Sequence, residues 1–135
     1  MKSLRHTIAS LGLIGCSSFL LSGAQPLQLA EDVQMHILAK ADFVYDDNIF
    51  LVGNDTVGDR YLVFTPGLEF RLAEGGAASA TLTYQHRFTF YRDNNELDDN
   101  FPLLDLKARY DSGVMLATGY GSYSRVASNT IDVQQ

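Results

Sequence analysis

The sequence predicts an all-β protein, and within that class an antiparallel up-and-down transmembrane β-barrel of which this chain is an incomplete N-terminal segment of about five strands. Three observations predict it. Residues 33–126 alternate apolar and polar through consecutive strand-length segments. The connections between those segments alternate long and short. The N-terminus has the composition of an export signal.

The first segment runs over residues 33–45. Met35, Ile37, Ala39, Ala41, Phe43 and Tyr45 share one face, and Gln34, His36, Lys40 and Asp42 the other, with Leu38 and Val44 as exceptions. Successive side chains leave a strand on opposite sides, so a period of two means strand. A polar connection follows at residues 46–59, where Gly53, Asn54, Asp55, Gly58 and Asp59 form turns. The second segment sets Leu62, Phe64, Leu68, Phe70 and Leu72 against Thr65, Gly67, Glu69 and Arg71. Pro66 stands in mid-strand and has no N–H, which predicts a bulge or a local gap in the ladder.

Residues 73–77 make a tight turn with Gly75-Gly76. The third segment places Ala80, Leu82, Tyr84, His86, Phe88 and Phe90 opposite Thr81, Thr83, Gln85, Arg87, Thr89 and Tyr91. The connection at 92–100 is polar and acidic. The fourth segment sets Leu104, Leu106, Ala108 and Tyr110 against Leu103, Asp105, Lys107 and Arg109, and Asp111-Ser112-Gly113 is a hairpin turn. The fifth is the least regular: Val114, Leu116, Thr118 and Tyr120 against Met115, Ala117, Gly119, Gly121 and Arg125. Residues 127–135 begin a further polar connection.

Strands of about ten residues fit the tilted span of a membrane barrel. Such barrels keep their turns short on the periplasmic side and their loops long outside. That rule puts 46–59, 92–100 and 127–135 outside, and the turns at 73–77 and 111–113 in the periplasm. Pairing the third and fourth segments with Tyr91 near Phe101 sets Arg87 opposite Asp105, Gln85 opposite Lys107 and Thr83 opposite Arg109. The same register sets Phe88 opposite Leu104 and Leu82 opposite Tyr110. Five strands is an odd number, and single-chain bacterial barrels have even numbers of eight or more, so the expectation is a longer natural protein.

At the N-terminus Lys2, Arg5 and His6 precede a mostly apolar stretch, and Ser22-Gly23-Ala24 offers small residues for signal peptidase. The chain therefore divides into a signal peptide (1–24), a periplasmic lead-in (25–32) in which Pro26 limits regular structure, and the barrel segment (33–135). A competing reading is the lipobox Leu13-Ile14-Gly15-Cys16, in which Cys16 is lipidated; the apolar Phe19, Leu20 and Leu21 just after it favour simple cleavage. Cys16 is the only cysteine, so neither disulfides nor thiolate zinc sites hold the mature chain. Cleavage removes Lys2 and Arg5 from the 10 basic residues and none of the 16 acidic ones, leaving 8 against 16, or −8. That balance excludes a basic nucleic-acid footprint.

The segment Tyr45-Asp46-Asp47-Asn48-Ile49-Phe50, with Thr65-Pro66-Gly67-Leu68 and with Tyr84, Tyr91, Asn94 and Asp98, resembles the β-barrel porin type 2 family of Gram-negative outer-membrane proteins. The resemblance covers roughly residues 33–129 and corresponds to the opening third of such a barrel. It implies an outer-membrane barrel, linked in some members to polysaccharide export, and no catalytic residues. Its implied partners are outer-membrane lipid and lipopolysaccharide, the barrel assembly machinery and, in export-linked members, exopolysaccharide.

Candidate chemistry falls into three groups. Glu69, Arg71, Arg87, Asp105, Lys107 and Arg109 share the polar face, either as lumen-lining charges that bias solute passage or as a paired network that fills the interior. Asp46, Asp47, Asp98 and Asp99 crowd two outer loops. Carboxylates there are candidate cation ligands, yet the spacing is not that of an EF-hand, and solvated turn-forming residues are the simpler explanation. His86 falls on the predicted lipid face, where an ionisable group is costly. No serine adjoins it in the strand, so a lipase-type triad is not indicated. The expectation is a non-enzymatic, cofactor-free outer-membrane barrel for passage of solutes or polysaccharide. The alternatives are a structural barrel with a blocked lumen and a soluble periplasmic β-sandwich lipoprotein.

Overall fold

The computed structural model describes residues 14–20, 25–53 and 55–125. The basic N-terminus, the Ser22-Gly23-Ala24 cleavage motif, Asn54 and the final connection at 127–135 lie outside them.

Seven strands form a single antiparallel sheet: β1 (Ile14–Leu20), β2 (Leu27–Ala30), β3 (Val33–Asp46), β4 (Asp59–Leu72), β5 (Ala78–Tyr91), β6 (Asp99–Asp111) and β7 (Leu116–Ser124). The order is β1-β3-β4-β5-β6-β7, with β2 beside β3. From β3 onward each strand pairs with the next in the chain, an up-and-down meander. β1 and β2 share one edge, β7 is the other, and the sheet is open. No second sheet packs on it among the described residues.

The five segments expected as strands are strands, and the connections alternate in length as expected. Two strands were not expected. The lead-in is not irregular: β2 makes a hairpin with β3, pairing Leu27 with Met35, and Pro26 lies just before its first residue. Residues 14–20, within the apolar core of the expected signal, pair with residues 40–46 of β3. Cleavage after Ala24 would turn that half of β3 into an edge.

The registers sort the side chains into two faces. Along β3–β4, Met35 meets Phe70, Ile37 meets Leu68, Ala41 meets Phe64 and Phe43 meets Leu62. Leu62 then meets Phe90, Phe64 meets Phe88 and Phe70 meets Leu82 on β5. Leu82 meets Leu106 and Tyr84 meets Leu104 on β6. This apolar face is exposed: Ile37 is 55% accessible, Phe43 56%, Phe90 47% and Leu106 46%. The buried residues of the sheet proper, Asp42, Val63, Thr65 and Thr89, all lie on the opposite, polar face, and Val63 is the only buried apolar residue among those described. Contiguous apolar patches of this kind are found where a surface meets a protein partner or a lipid phase.

Two features of β4 follow from its sequence. The β4–β5 register is the same on both sides of Thr65-Pro66, but neither residue is paired with β5. Pro66 thus produces a gap in the ladder and no bulge. Beside it, a Cβ on Gly67 would lie 2.6 Å from the Tyr84 carbonyl oxygen and 2.7 Å from Gln85 Cγ, so only glycine fits this close approach.

Two register expectations are corrected. β5 and β6 pair four residues away from the expected alignment: Thr83 meets Asp105, Thr81 meets Lys107, and Arg87 meets Phe101. Arg87 and Asp105 are not neighbours. The β5–β6 connection is tighter than expected, with a 3₁₀ turn at Asn95–Leu97, and Asp99 and Asn100 already belong to β6. A shift by an even number keeps every side chain on its face, which is why the face assignment of these strands survives the error. In β7 the faces are reversed relative to the apolar set expected. Tyr120 meets Lys107 and Thr118 meets Arg109 on the polar face, while Ala117, Gly119 and Gly121 meet Tyr110, Ala108 and Leu106 on the apolar one.

Candidate functional site

The polar face carries the residues that sequence reasoning singled out. Glu69 and Arg71 lie on β4, Arg87 on β5, and Asp105, Lys107 and Arg109 on β6, all on this one face. They do not form the cross-strand charge pairs expected. Each ion pair among the described residues runs along a single strand or its adjoining turn: Lys40–Asp42 at 2.8 Å, Arg71–Glu69 at 2.7 Å, Arg71–Glu74 at 3.3 Å and Arg109–Asp111 at 2.5 Å. Most of these side chains are substantially exposed, so solvent screening leaves each pair worth at most about 1 kcal/mol.

Strand-to-strand contact on this face comes instead from hydroxyls. Thr83 Oγ1 donates to Glu69 Oε2 at 3.3 Å, and Tyr120 OH donates to Asp105 Oδ1 at 2.8 Å. Tyr120 was placed on the other face by sequence reasoning; the signal that could have found it is its spacing from Thr118 and Ser122, the polar alternation of β7. Arg87 lies over the Phe101 ring at 5.7 Å, in cation–π range. Lys107 forms no ion pair among the described residues. His36 Nε2 and Asp42 Oδ1 are buried without a hydrogen-bond partner there. The face therefore presents charges of both signs that remain largely open to a polar medium.

The acidic loop residues serve the backbone. Asp46 Oδ1 accepts from Asn48 N at 2.9 Å. The Asn48 side chain closes the loop reciprocally, donating to Val52 O and accepting from Val52 N. The Tyr45–Phe50 motif is thus a loop-building unit. Asp98 Oδ1 accepts from Tyr91 N at 2.6 Å and Asp99 Oδ1 from Asn100 N at 2.7 Å. Asp59, 2% accessible, accepts from the backbone N–H groups of Arg60, Asp93 and Asn94 and from Asn94 Nδ2. It fastens the second outer loop to the start of β4, a role that its reading as a turn former missed. Among the described residues no three or more carboxylate, histidine or cysteine groups gather as metal ligands.

His86 lies on the apolar face as expected, with both ring nitrogens occupied. Nδ1 is 3.1 Å from Tyr84 OH and Nε2 is 3.3 Å from Asn100 Oδ1. The ring stacks on Phe88 at 4.6 Å. Both polar atoms of the ring thus have partners, and its aromatic face lies against Phe88. Cys16 is exposed in β1, with Sγ 3.6 Å from Ser18 Oγ.

The described residues form a two-sided sheet, one face apolar and the other polar. No family model matches the chain, and neither the curated proteins nor the solved structures compared with it gave a match. The functional reading therefore stands on the sheet itself.

Proposed function

We propose that this chain supplies adjoining strands of an outer-membrane β-barrel, with the apolar face against lipid and the polar face lining the lumen, for passage of solutes or polysaccharide. The observation that carries the reading is the inverted sheet: its large apolar side chains are outward and exposed, and its charges and hydroxyls are on the face that holds the buried residues. In a closed barrel, lipid covers the first set and lumen water the second. The alternating connections support an orientation with residues 47–58 and 92–98 outside. The two open edges would be closed by further strands, and the resemblance to the porin type 2 family gives the same picture. The mixed charges from Glu69 to Arg109 would then tune which solutes enter.

Uptake of sugars of graded size into liposomes carrying the full-length protein tests this. Size-dependent uptake is the expected result. Inserted, folded protein without uptake would favour the structural barrel with a filled lumen. Recovery of the folded protein in the aqueous phase would overturn the membrane reading.

A further inference from the structure

At the outer end of the sheet the charges are sorted by face. Asp46 and Asp59 are paired across β3 and β4 on the polar face. On the apolar face, Tyr45 is paired with Arg60, and the ladder continues beyond β5 with Arg92 N donating to Arg60 O at 3.0 Å. Arg60 and Arg92 therefore stand side by side, both exposed, at the margin of the apolar band. Neither forms an ion pair among the described residues. Like charges directly opposite each other on a sheet are destabilising, and here they occur in a chain whose net charge is −6.

The two arginines border an open apolar groove lined by Phe43, Tyr45, Leu62 and Phe90 of β3–β5, with Gly15 and Ser17 of β1 at its far edge, which signal cleavage would leave open. The Arg60 guanidinium lies over the Tyr45 ring at 6.0 Å, which limits its freedom. An aromatic and aliphatic groove capped by two guanidinium groups, at the loop end of a lipid-facing surface, matches one kind of ligand. It would place acyl chains along the apolar strands and a phosphate at the arginines. Guanidinium groups take phosphate oxygens in bidentate fashion, and a phosphate between them removes their mutual repulsion.

We propose that Arg60 and Arg92 form a binding site for the phosphate of an outer-leaflet lipid, a phosphorylated glycolipid seated in the Phe43–Phe90 groove. The inference rests on the membrane reading above and names one lipid position within it.

The test uses the full-length protein in detergent with three probes: bisphosphorylated lipid A, the same lipid stripped of its phosphates, and inorganic phosphate. Retention is read by native mass spectrometry. The phosphorylated lipid should be retained in preference to both others. Arg60→Gln with Arg92→Gln should weaken it roughly tenfold or more, as expected for loss of charge-assisted contacts. Arg60→Lys with Arg92→Lys, which keeps the charge but loses the bidentate fork, should bind more weakly than wild type and more tightly than the double Gln variant, and Arg109→Gln on the polar face should leave it unchanged. Equal retention of the phosphate-free lipid, or wild-type binding by the double Gln variant, would overturn the site. Binding of inorganic phosphate as tight as that of the lipid would overturn the lipid assignment. Membrane insertion of the same variants separates the two claims. Normal insertion with no phosphate preference defeats the site alone, and wild-type protein that does not insert defeats the membrane reading beneath it.

Discussion

Single residues in this sheet are constrained chiefly where the backbone has no slack. Gly67 is the clearest case, because the atom its Cβ would meet, the Tyr84 carbonyl oxygen at 2.6 Å, belongs to the neighbouring strand. That oxygen cannot move without moving β5. Gly67→Ala should therefore lower stability by about 1–3 kcal/mol, the usual cost of overpacking. The measurement is the urea midpoint of the folded protein followed by circular dichroism, with Gly121→Ala as control, since nothing lies within 4 Å of a Cβ there. Equal midpoints for the two variants would show that the strands do not approach as closely as described. Asp59 is constrained in a different way. Its carboxylate receives backbone donors from residues far along the chain, so the order of the second outer loop depends on the first residue of β4.

At the scale of the strand, the informative result is the four-residue difference between the expected and observed pairing of β5 with β6. Directly opposed residues have Cα atoms about 4.5–5.5 Å apart, within disulfide range, whereas a four-residue offset adds roughly 13 Å along the strand. Cysteines at Thr83 and Asp105, in a chain with Cys16 replaced by serine, should cross-link readily under mild oxidation. Cysteines at Arg87 and Asp105 should not. Gel mobility before and after reduction reads both, and the opposite pattern would restore the earlier register. The difference also shows what a sequence of this kind makes legible. Faces were readable in four of the five main segments because alternation is a local property, and only β7, where glycine, alanine and serine give little contrast, was assigned to the wrong face. Register was not readable, because any even shift preserves alternation on both faces. The observed register goes with a folded β5–β6 connection, in which Asp59 gathers the N–H groups of Asp93 and Asn94 and β6 starts at Asp99. No local pattern announces such a contact between residues so distant in the chain. β2 was missed for a simpler reason: Pro26 lies one residue before the strand and constrains nothing within it. The candidate charges were placed correctly on one face, but their partners were not, since Arg71, Lys40 and Arg109 pair within their own strands or turns.

For the molecule as a whole, the functional reading depends on which face meets lipid. Leu106 is on the apolar face, opposite Leu82 on β5 and Gly121 on β7, and is 46% accessible. Gln85 is on the polar face, opposite Gly67 and Leu103. An arginine near mid-bilayer costs a barrel about 2–4 kcal/mol on its lipid side, whereas a lumen-side substitution mainly alters selectivity. Leu106→Arg in the full-length protein should therefore strongly reduce the fraction that assembles in the membrane, and Gln85→Arg should leave assembly near wild type while changing the uptake of charged solutes. Heat-modifiable mobility of membrane fractions measures the first, and liposome uptake the second. Lys107, on the same face as Gln85, is consistent with this asymmetry, because the native chain already carries a cation there without an ion pair among the described residues. If Gln85→Arg blocked assembly and Leu106→Arg did not, the polar face would be the buried one. The exposed row from Ile37 to Leu106 would then face something other than lipid, and passage through a polar lumen could not stand.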